Sequence, residues 1–402
     1  MKMKRAIASV IAAAVVGLTG ASVSADSFDP VVIGARTEGM GGAAIAAAGD
    51  LESVAANPAG LLTLSRGELL IGGRILEDTI ATESATGAAT TTGDRHTCLT
   101  LAGGAVPLRL GGRAWALAVA YERPLELVTF YKGGDIHGGV SAWSPAVAVE
   151  LVPWLGVGAA VNIWDGTRDY DHDLADGSRL WWKSDYSGVN ATVGLRFDLG
   201  RTTAQLPLTV GLNARTPFTL GIDYHERSAT AAGVESAAAW TYQIEMPWMA
   251  GVGIAWEPSA DVTLALEGEA RFFKGSRNRA TGSAGTDVTP LSASDDNLFP
   301  VRFGVEYRLH TGSLVIPLRA GVRSVPTLSA DRRDGQPEGQ ATGFAFTGGI
   351  GVVAGRVRAD LAYSSSQYAR DTVVGAASTT TSRTYQTWML QVAVGLGEIA
   401  SR

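Results

Sequence analysis

The chain has 402 residues, 46% of them hydrophobic, with 33 basic residues against 39 acidic ones and a single cysteine. A net charge of −6 offers no basic surface for a nucleic-acid partner, and one cysteine rules out an intramolecular disulfide. Past the first 25 residues no apolar run reaches the roughly 18 residues of a spanning helix without a charge or a turn, which excludes a helical membrane protein.

Residues 1–25 carry Lys2, Lys4 and Arg5 ahead of an apolar run and end in the small residues Val23, Ser24 and Ala25. That order is a secretory signal peptide cut after Ala25, and the apolar run is too short for the alternative, an anchor helix. Cleavage removes three basic residues and leaves 30 against 39 acidic, a net of −9. An exported, moderately apolar chain without spanning helices points to a membrane β-barrel.

Residues 26–65 are rich in Gly and Ala and end in Asn57-Pro58-Ala59 before Leu61. The pattern predicts a short helix over 42–48 and a second begun by Asp50 as N-cap, with Pro58 stopping it and turning the chain. The alternative for this segment is a disordered periplasmic leader.

From residue 66 to the end, about fourteen segments of 9 to 13 residues alternate apolar and polar positions, the period of a strand. In residues 262–272, Val262, Leu264, Leu266, Ala270 and Phe272 share one face, and Thr263, Ala265, Glu267, Glu269 and Arg271 share the other. Residues 299–309 repeat the split, as do 314–323 and 356–363. Connections alternate in length: short at 107–112, 257–261, 310–313 and 353–356, long at 77–94, 166–183, 217–246, 274–298, 325–340 and 367–384. A transmembrane antiparallel β-barrel sorts its connections this way, with tight periplasmic turns and long outer loops. The alternative, a soluble barrel with its apolar face inward, has too many apolar faces for one interior. Trp154, Trp164, Trp248 and Trp256 near strand ends fit an interfacial belt. A lumen this wide needs a plug or is an open pore, and 26–65 is the available plug.

The stretch GARTEGMGGAAIAAAGDLESVAANPAGL, residues 34–61, resembles the N-terminal hatch of the FadL/TodX family of outer-membrane transport proteins. Residues 112–134 and the stretches FPVRFGVEYRL and IPLRAGV are similar to that family's strands. The resemblance implies a barrel of 14 strands closed by a hatch, passive uptake of long-chain fatty acids or other hydrophobic molecules, and lateral release at a kinked third strand. Onto this sequence it carries Asn57, Pro58 and Ala59 as the hatch gate and Pro124 as the third-strand kink, where the missing N–H would part strands three and four. Pro124 as a plain strand end is the alternative. Branches of the family include secretion-system scaffolds such as PorV, so a non-transport scaffold is the rival function. The end QVAVGLGEIASR departs from the usual aromatic finish.

No catalytic, cofactor or metal motif stands out. His96, His137, His172, His225 and His310 fall in or beside expected loops, and the four aspartates within residues 169–177 have no EF-hand spacing. They read as a solvated acidic loop, met by cations bridging lipopolysaccharide. The inward charges Glu267, Glu269, Arg271, Arg302, Glu306, Arg319, Arg323, Arg358 and Asp360 either pair across the lumen and hold the hatch or leave one arginine for a fatty acid carboxylate. Leu180, Trp181, Trp182, Phe218 and Leu220 are the candidate apolar contacts for cargo on outer loops. Expected partners are hydrophobic cargo, outer-membrane lipid and lipopolysaccharide around a monomer.

Overall fold

The computed structural model describes residues 31–125, 136–173, 176–201, 206–292, 294–375 and 377–396. The signal peptide at 1–25, residues 126–130 of the expected third strand and the chain end at 397–402 lie outside them. In chain order the strand segments are β1 (Glu68–Ser84), β2 (Ala89–Leu110), β3 (Arg113–Leu125), β4 (Ile136–Val152), β5 (Leu155–Asp173), β6 (Arg179–Asp198), β7 (Leu208–Arg215), β8 (Phe218–Ala229), β9 (Glu235–Met246) and β10 (Met249–Ser259). They continue with β11 (Val262–Arg271), β12 (Arg277–Gly282), β13 (Gly285–Pro290), β14 (Val301–Thr311), β15 (Leu314–Arg333), β16 (Gln336–Ala354), β17 (Val357–Val374) and β18 (Ala377–Gly395).

These segments build 14 barrel strands, because four of the strands are interrupted. One break is Thr216-Pro217: β6 pairs with β7 below it and with β8 above it. Another is Pro247-Trp248, between β9 and β10. At both places proline withholds a ladder donor. Residues 272–276 divide β11 from β12, and residues 291–300 divide β13 from β14. All the neighbouring barrel strands run antiparallel, and the barrel closes where β1 meets β18, from Glu68 opposite Gly395 to Ser84 opposite Thr379.

Side chains sort by face as the alternation predicts. Along β14, Val301, Phe303 and Tyr307 are exposed at 52%, 43% and 47%, while Arg302 and Glu306 between them are buried. Leu266 and Leu361 are likewise exposed beside buried Glu267 and Asp360. An apolar belt outside and charges inside is the arrangement that a lipid bilayer requires and water would punish.

Two expectations need correction. The long connections are mostly strand: β1 and β2 run to a turn at 85–88, β15 and β16 to one at Asp334-Gly335, and 217–246 is largely β8 and β9. Outside the bilayer both faces of a strand are wetted, so the alternation fades while the backbone ladder continues. Trp154, Trp248 and Trp256 are exposed, but Trp164 is buried, because Ile163 takes the outward place on β5.

Candidate functional site in the filled lumen

Residues 31–65 lie inside the barrel, with Leu51, Val54, Ala59 and Leu61 fully buried. The helix expected over 42–48 is absent. A short helix, α1, spans Ala35–Gly39 and ends because Gly41 and Gly42 take φ of 70° and 90°, which suit a residue without Cβ. Asp50 accepts the Glu52 N–H at 3.0 Å and starts a turn, and a second helix, α2, covers Ser53–Ala56. Pro58 does more than stop it. Asn57 caps a 3₁₀ helix over Pro58–Thr63 by accepting the Ala59 N–H at 3.2 Å, with Pro58 in the first turn where no donor is needed.

The barrel wall makes room for this segment with glycine. A Cβ on Gly304 would collide with the Met40 carbonyl, one on Gly321 with the Gly41 amide, one on Gly211 with the Ile45 carbonyl and one on Gly158 with the Pro58-Ala59 peptide. At these four positions the wall approaches the segment's backbone too closely for any side chain. A Cβ on Gly156, Gly158, Gly251 or Gly253 would likewise meet Leu62, Ala59, Ile45 or Ala46 of the segment.

On the side of β11 and β14–β18 the segment is held by charge. Arg323 donates two hydrogen bonds to Glu38, at 2.9 and 3.1 Å, and Arg358 donates to Asp50 at 2.7 Å. Arg36 lies 3.6 Å from both Asp50 and Glu306. Glu267 accepts the backbone N–H groups of Ala44 and Ile45 at 2.7 and 2.8 Å and pairs with Arg302. Arg302 also reaches Glu269, which pairs with Arg271 at 3.0 Å, and Arg319 joins Glu306 to Asp360 at 2.7 and 2.8 Å. Every arginine singled out in the sequence thus meets a carboxylate. Gln391, which the sequence reading passed over, donates to Glu52 at 2.7 Å and accepts from Ala35 N at 2.8 Å. Burial, and then Asp50 beside it, push the Glu52 carboxyl up from the ordinary range. Burial would do the same to Asp50 and Glu38, but Arg358 and Arg36 hold Asp50 down, and Arg323 holds Glu38 down.

On the side of β6 and β7 the contacts go to neutral carbonyls. Arg196 donates to Ala46 O at 2.8 Å, Asn213 to Ala56 O at 2.6 Å, Arg215 to Ala55 O at 3.2 Å, and Asn57 of the segment to Leu195 O at 2.9 Å. Arg196, Asn213 and Arg215 escaped the sequence reading because β6 and β7 show no charge alternation like that of β11. The inward parity of Asn213 and Arg215 was the available signal.

Above this level the lumen turns apolar. Leu125, Val140, Trp164, Tyr186, Leu220 and Phe273 belong to one buried cluster, and Phe218 packs on it, stacked on Trp164 at 5.1 Å. A polar belt separates the cluster from the segment below: Ser144 donates to Asn162 at 2.9 Å, and Asn162 and Trp164 both donate to Asn190 at 2.9 Å. Phe218 and Leu220 line the interior from a strand, not from a loop. Leu180, Trp181 and Trp182 also stand on a strand, β6, and split by parity. Trp182 is buried and stacks inward on Tyr170 at 5.8 Å, whereas Trp181 keeps company with Arg227 on the other face.

Pro124 stands one residue from the described end of β3, where the register on β4 slips between Glu122 and Leu125. Its carbonyl accepts the Val31 N–H at 2.9 Å. A cavity of about 100 Å³ opens there, between Val31, Ile33, Pro124, Met249, Arg215 and Arg271.

His96, His172, His225 and His310 lie in strands, not loops, and the His137 side chain lies outside the described ones. Among residues 169–177, 169–173 complete β5, and Asp171 pairs with Arg179 of β6. Among the described residues no group of three or more His, Cys, Asp or Glu is placed to hold a metal ion.

No family model and no curated protein matches the sequence. Solved structures do match its fold. A FadL homologue of Pseudomonas aeruginosa is similar with TM-score 0.70 at 13% identity, over 92% of this chain and 100% of that one. The toluene transporter TodX of P. putida is similar with TM-score 0.63 at 12% identity, over 91% and 99%, and the toluene transporter TbuX of Ralstonia pickettii with TM-score 0.56 at 13%, over 89% and 97%. The chain is, by fold, a FadL-type β-barrel of 14 strands.

Proposed function

We propose that the protein is a channel, not an enzyme, in the outer membrane of a Gram-negative cell, exported with a cleaved signal peptide, and that it admits hydrophobic molecules passively. Long-chain fatty acids or similar compounds are the cargo. The observation that carries this reading is the apolar cluster around Trp164, Phe218 and Leu220, which lies in the lumen directly above the N-terminal segment and extends to Leu125 next to Pro124. Aromatic and aliphatic walls with a few polar groups below them suit a greasy molecule with at most one polar end. The similar structures named as toluene transporters support the same class of cargo.

In this reading residues 26–65 are a hatch, with Asn57, Pro58 and Ala59 as its gate. The register slip at Pro124 is the lateral exit, guarded by the Val31–Pro124 hydrogen bond. Cargo gathers on the rings of β5–β9, settles in the apolar chamber and leaves sideways toward the bilayer when the hatch shifts. Lipid and lipopolysaccharide surround a monomer.

A scaffold reading is favoured by one feature, the ion pairs that fasten Glu38 and Asp50 to the wall. Uptake of labelled long-chain fatty acid and of labelled toluene, in cells with the intact protein, with a Pro58→Ala variant and with neither, separates the two. The channel reading predicts uptake above the empty control and a change on altering Pro58. Uptake equal to the control supports the scaffold, and equal uptake by both forms removes the gate.

A further inference from the structure

Above the N-terminal segment the lumen has two unlike halves. On one, the inward side chains are the apolar cluster of Trp164 on β5, Leu220 and Ile222 on β8 and Ile244 on β9. On the other, the buried inward side chains are mostly polar: Ser366 and Tyr368 on β17, Arg383 and Thr387 on β18, Arg74 and Asp78 on β1. Both halves stand clear of the segment. Trp164 lies three inward positions beyond Gly158, against which the Pro58-Ala59 peptide rests, and Thr387 two inward positions beyond Gln391, which accepts the Ala35 N–H. The two halves face each other, because β17, β18 and β1 are consecutive at the barrel's closure and β5–β8 lie half a turn around it.

Within the polar half the charges satisfy each other. Arg383 donates to both carboxylate oxygens of Asp78 at 3.0 Å and lies 4.8 Å from the Tyr385 ring. The hydroxyls of Ser366 and Thr387 have no hydrogen-bond partner among the described residues, although both residues are buried. A buried hydroxyl left unmatched is costly, and a site that carries such groups rejects a ligand that cannot meet them. An acyl chain laid in the chamber covers the apolar wall on one side and leaves both hydroxyls unmet on the other. A molecule apolar on one face and hydroxylated on the opposite face satisfies both walls at once.

We propose that the chamber takes a second class of cargo, a rigid fused-ring amphiphile whose hydroxyls all lie on one face, seated with its apolar face on Trp164 and Leu220 and its hydroxyls on Ser366 and Thr387. This rests on the channel reading and adds a substrate class to it. The two walls sort such molecules by where their hydroxyls lie, not only by how many they carry. A hydroxyl on the wrong face is pressed against Trp164 and Leu220 and loses its water without gaining a partner. Rigidity matters because a flexible chain can turn its polar groups aside, whereas fused rings hold them in place.

The test compares chenodeoxycholate, both of whose hydroxyls lie on one face of its rings, with ursodeoxycholate, its epimer with one hydroxyl on each face. Equilibrium dialysis of the tritiated probes, and of laurate, against the protein in lipid nanodiscs measures binding, with empty nanodiscs as the partition control. Chenodeoxycholate is expected to bind roughly tenfold more tightly than ursodeoxycholate. Ser366→Ala combined with Thr387→Val is expected to bring the epimers within about twofold of each other, and laurate binding by that variant shows that it is folded. Should the double variant fail to fold, the epimer comparison in the parent decides alone. Equal binding of the epimers by the parent, a folded variant that keeps the parent's preference, or laurate binding with no binding of either epimer overturns the proposal and leaves the channel standing. If the parent binds neither the epimers nor laurate, the proposal and the channel fall together.

Discussion

Arg323 grips Glu38 through two parallel hydrogen bonds, and so ties β15 to the helix Ala35–Gly39 inside the barrel. Glu38 is buried, so removing one partner strands a charge. Arg323→Ala is expected to weaken docking of the segment by about 3 to 5 kcal/mol, whereas Arg323→Leu combined with Glu38→Leu costs far less. Hydrogen exchange of the amides of residues 35–41 reads both. Equal protection in the parent and Arg323→Ala would show that the pair holds nothing.

The glycine wall makes a steric prediction. Gly304→Val drives a side chain into the Met40 carbonyl, while Gly268→Val on β11 meets open space. The first is expected to lower stability by about 1 to 3 kcal/mol and to expose residues 39–42 to protease, the second to do neither. Thermal unfolding in detergent, followed by limited proteolysis, decides the matter.

Trp181 and Trp182 are neighbours in sequence and strangers in space. Trp182→Ala opens the ring stack formed with Tyr170 and Tyr224, and is expected to weaken hydrophobic cargo binding roughly tenfold by removing about 1 to 2 kcal/mol of ring contact. Trp181→Ala, on the outer face beside Arg227, is expected to leave binding unchanged. Fluorescence titration with a labelled fatty acid compares the two, and equal losses would refute the inward assignment.

The lipid face predicts a depth-dependent penalty. Phe303→Arg on β14 is expected to cost about 2 to 4 kcal/mol of barrel stability, and Phe303→Leu little. Equilibrium folding into vesicles measures it, and a small cost for the arginine would place Phe303 outside the bilayer.

Much of this architecture was legible because burial on one face leaves a period of two that survives in sequence. Residues 262–272 and 299–309 announce their faces, since a one-residue slip would carry Glu267, Glu306 or Arg302 to lipid. The strand segments above the bilayer were less legible: in 217–246 the inward apolar positions are short runs, Leu220 and Ile222 on β8 and Ile244 and Met246 on β9, with small and polar residues beyond them, so backbone pairing there leaves little trace in composition. The helix Ala35–Gly39 was missed for a different reason. Residues 42–48 have the better helix formers, but Glu267 of the wall draws in the Ala44 and Ile45 amides, and no local rule foresees a partner 222 residues away. Arg215 was hidden likewise, since only the assembled barrel shows which arginines have carboxylates.

On the channel reading a greasy molecule rests inside the barrel, above the docked segment. A photoactivatable phenylalanine analogue in place of Leu220, which is fully buried in the apolar cluster, tests it most directly, with the same analogue in place of Phe303 as the lipid-facing control. Irradiation with radiolabelled laurate in a lipid bilayer is predicted to mark the protein through position 220, and excess unlabelled laurate to abolish that mark. Labelling through position 303 alone, or labelling at 220 that unlabelled laurate does not reduce, would contradict it.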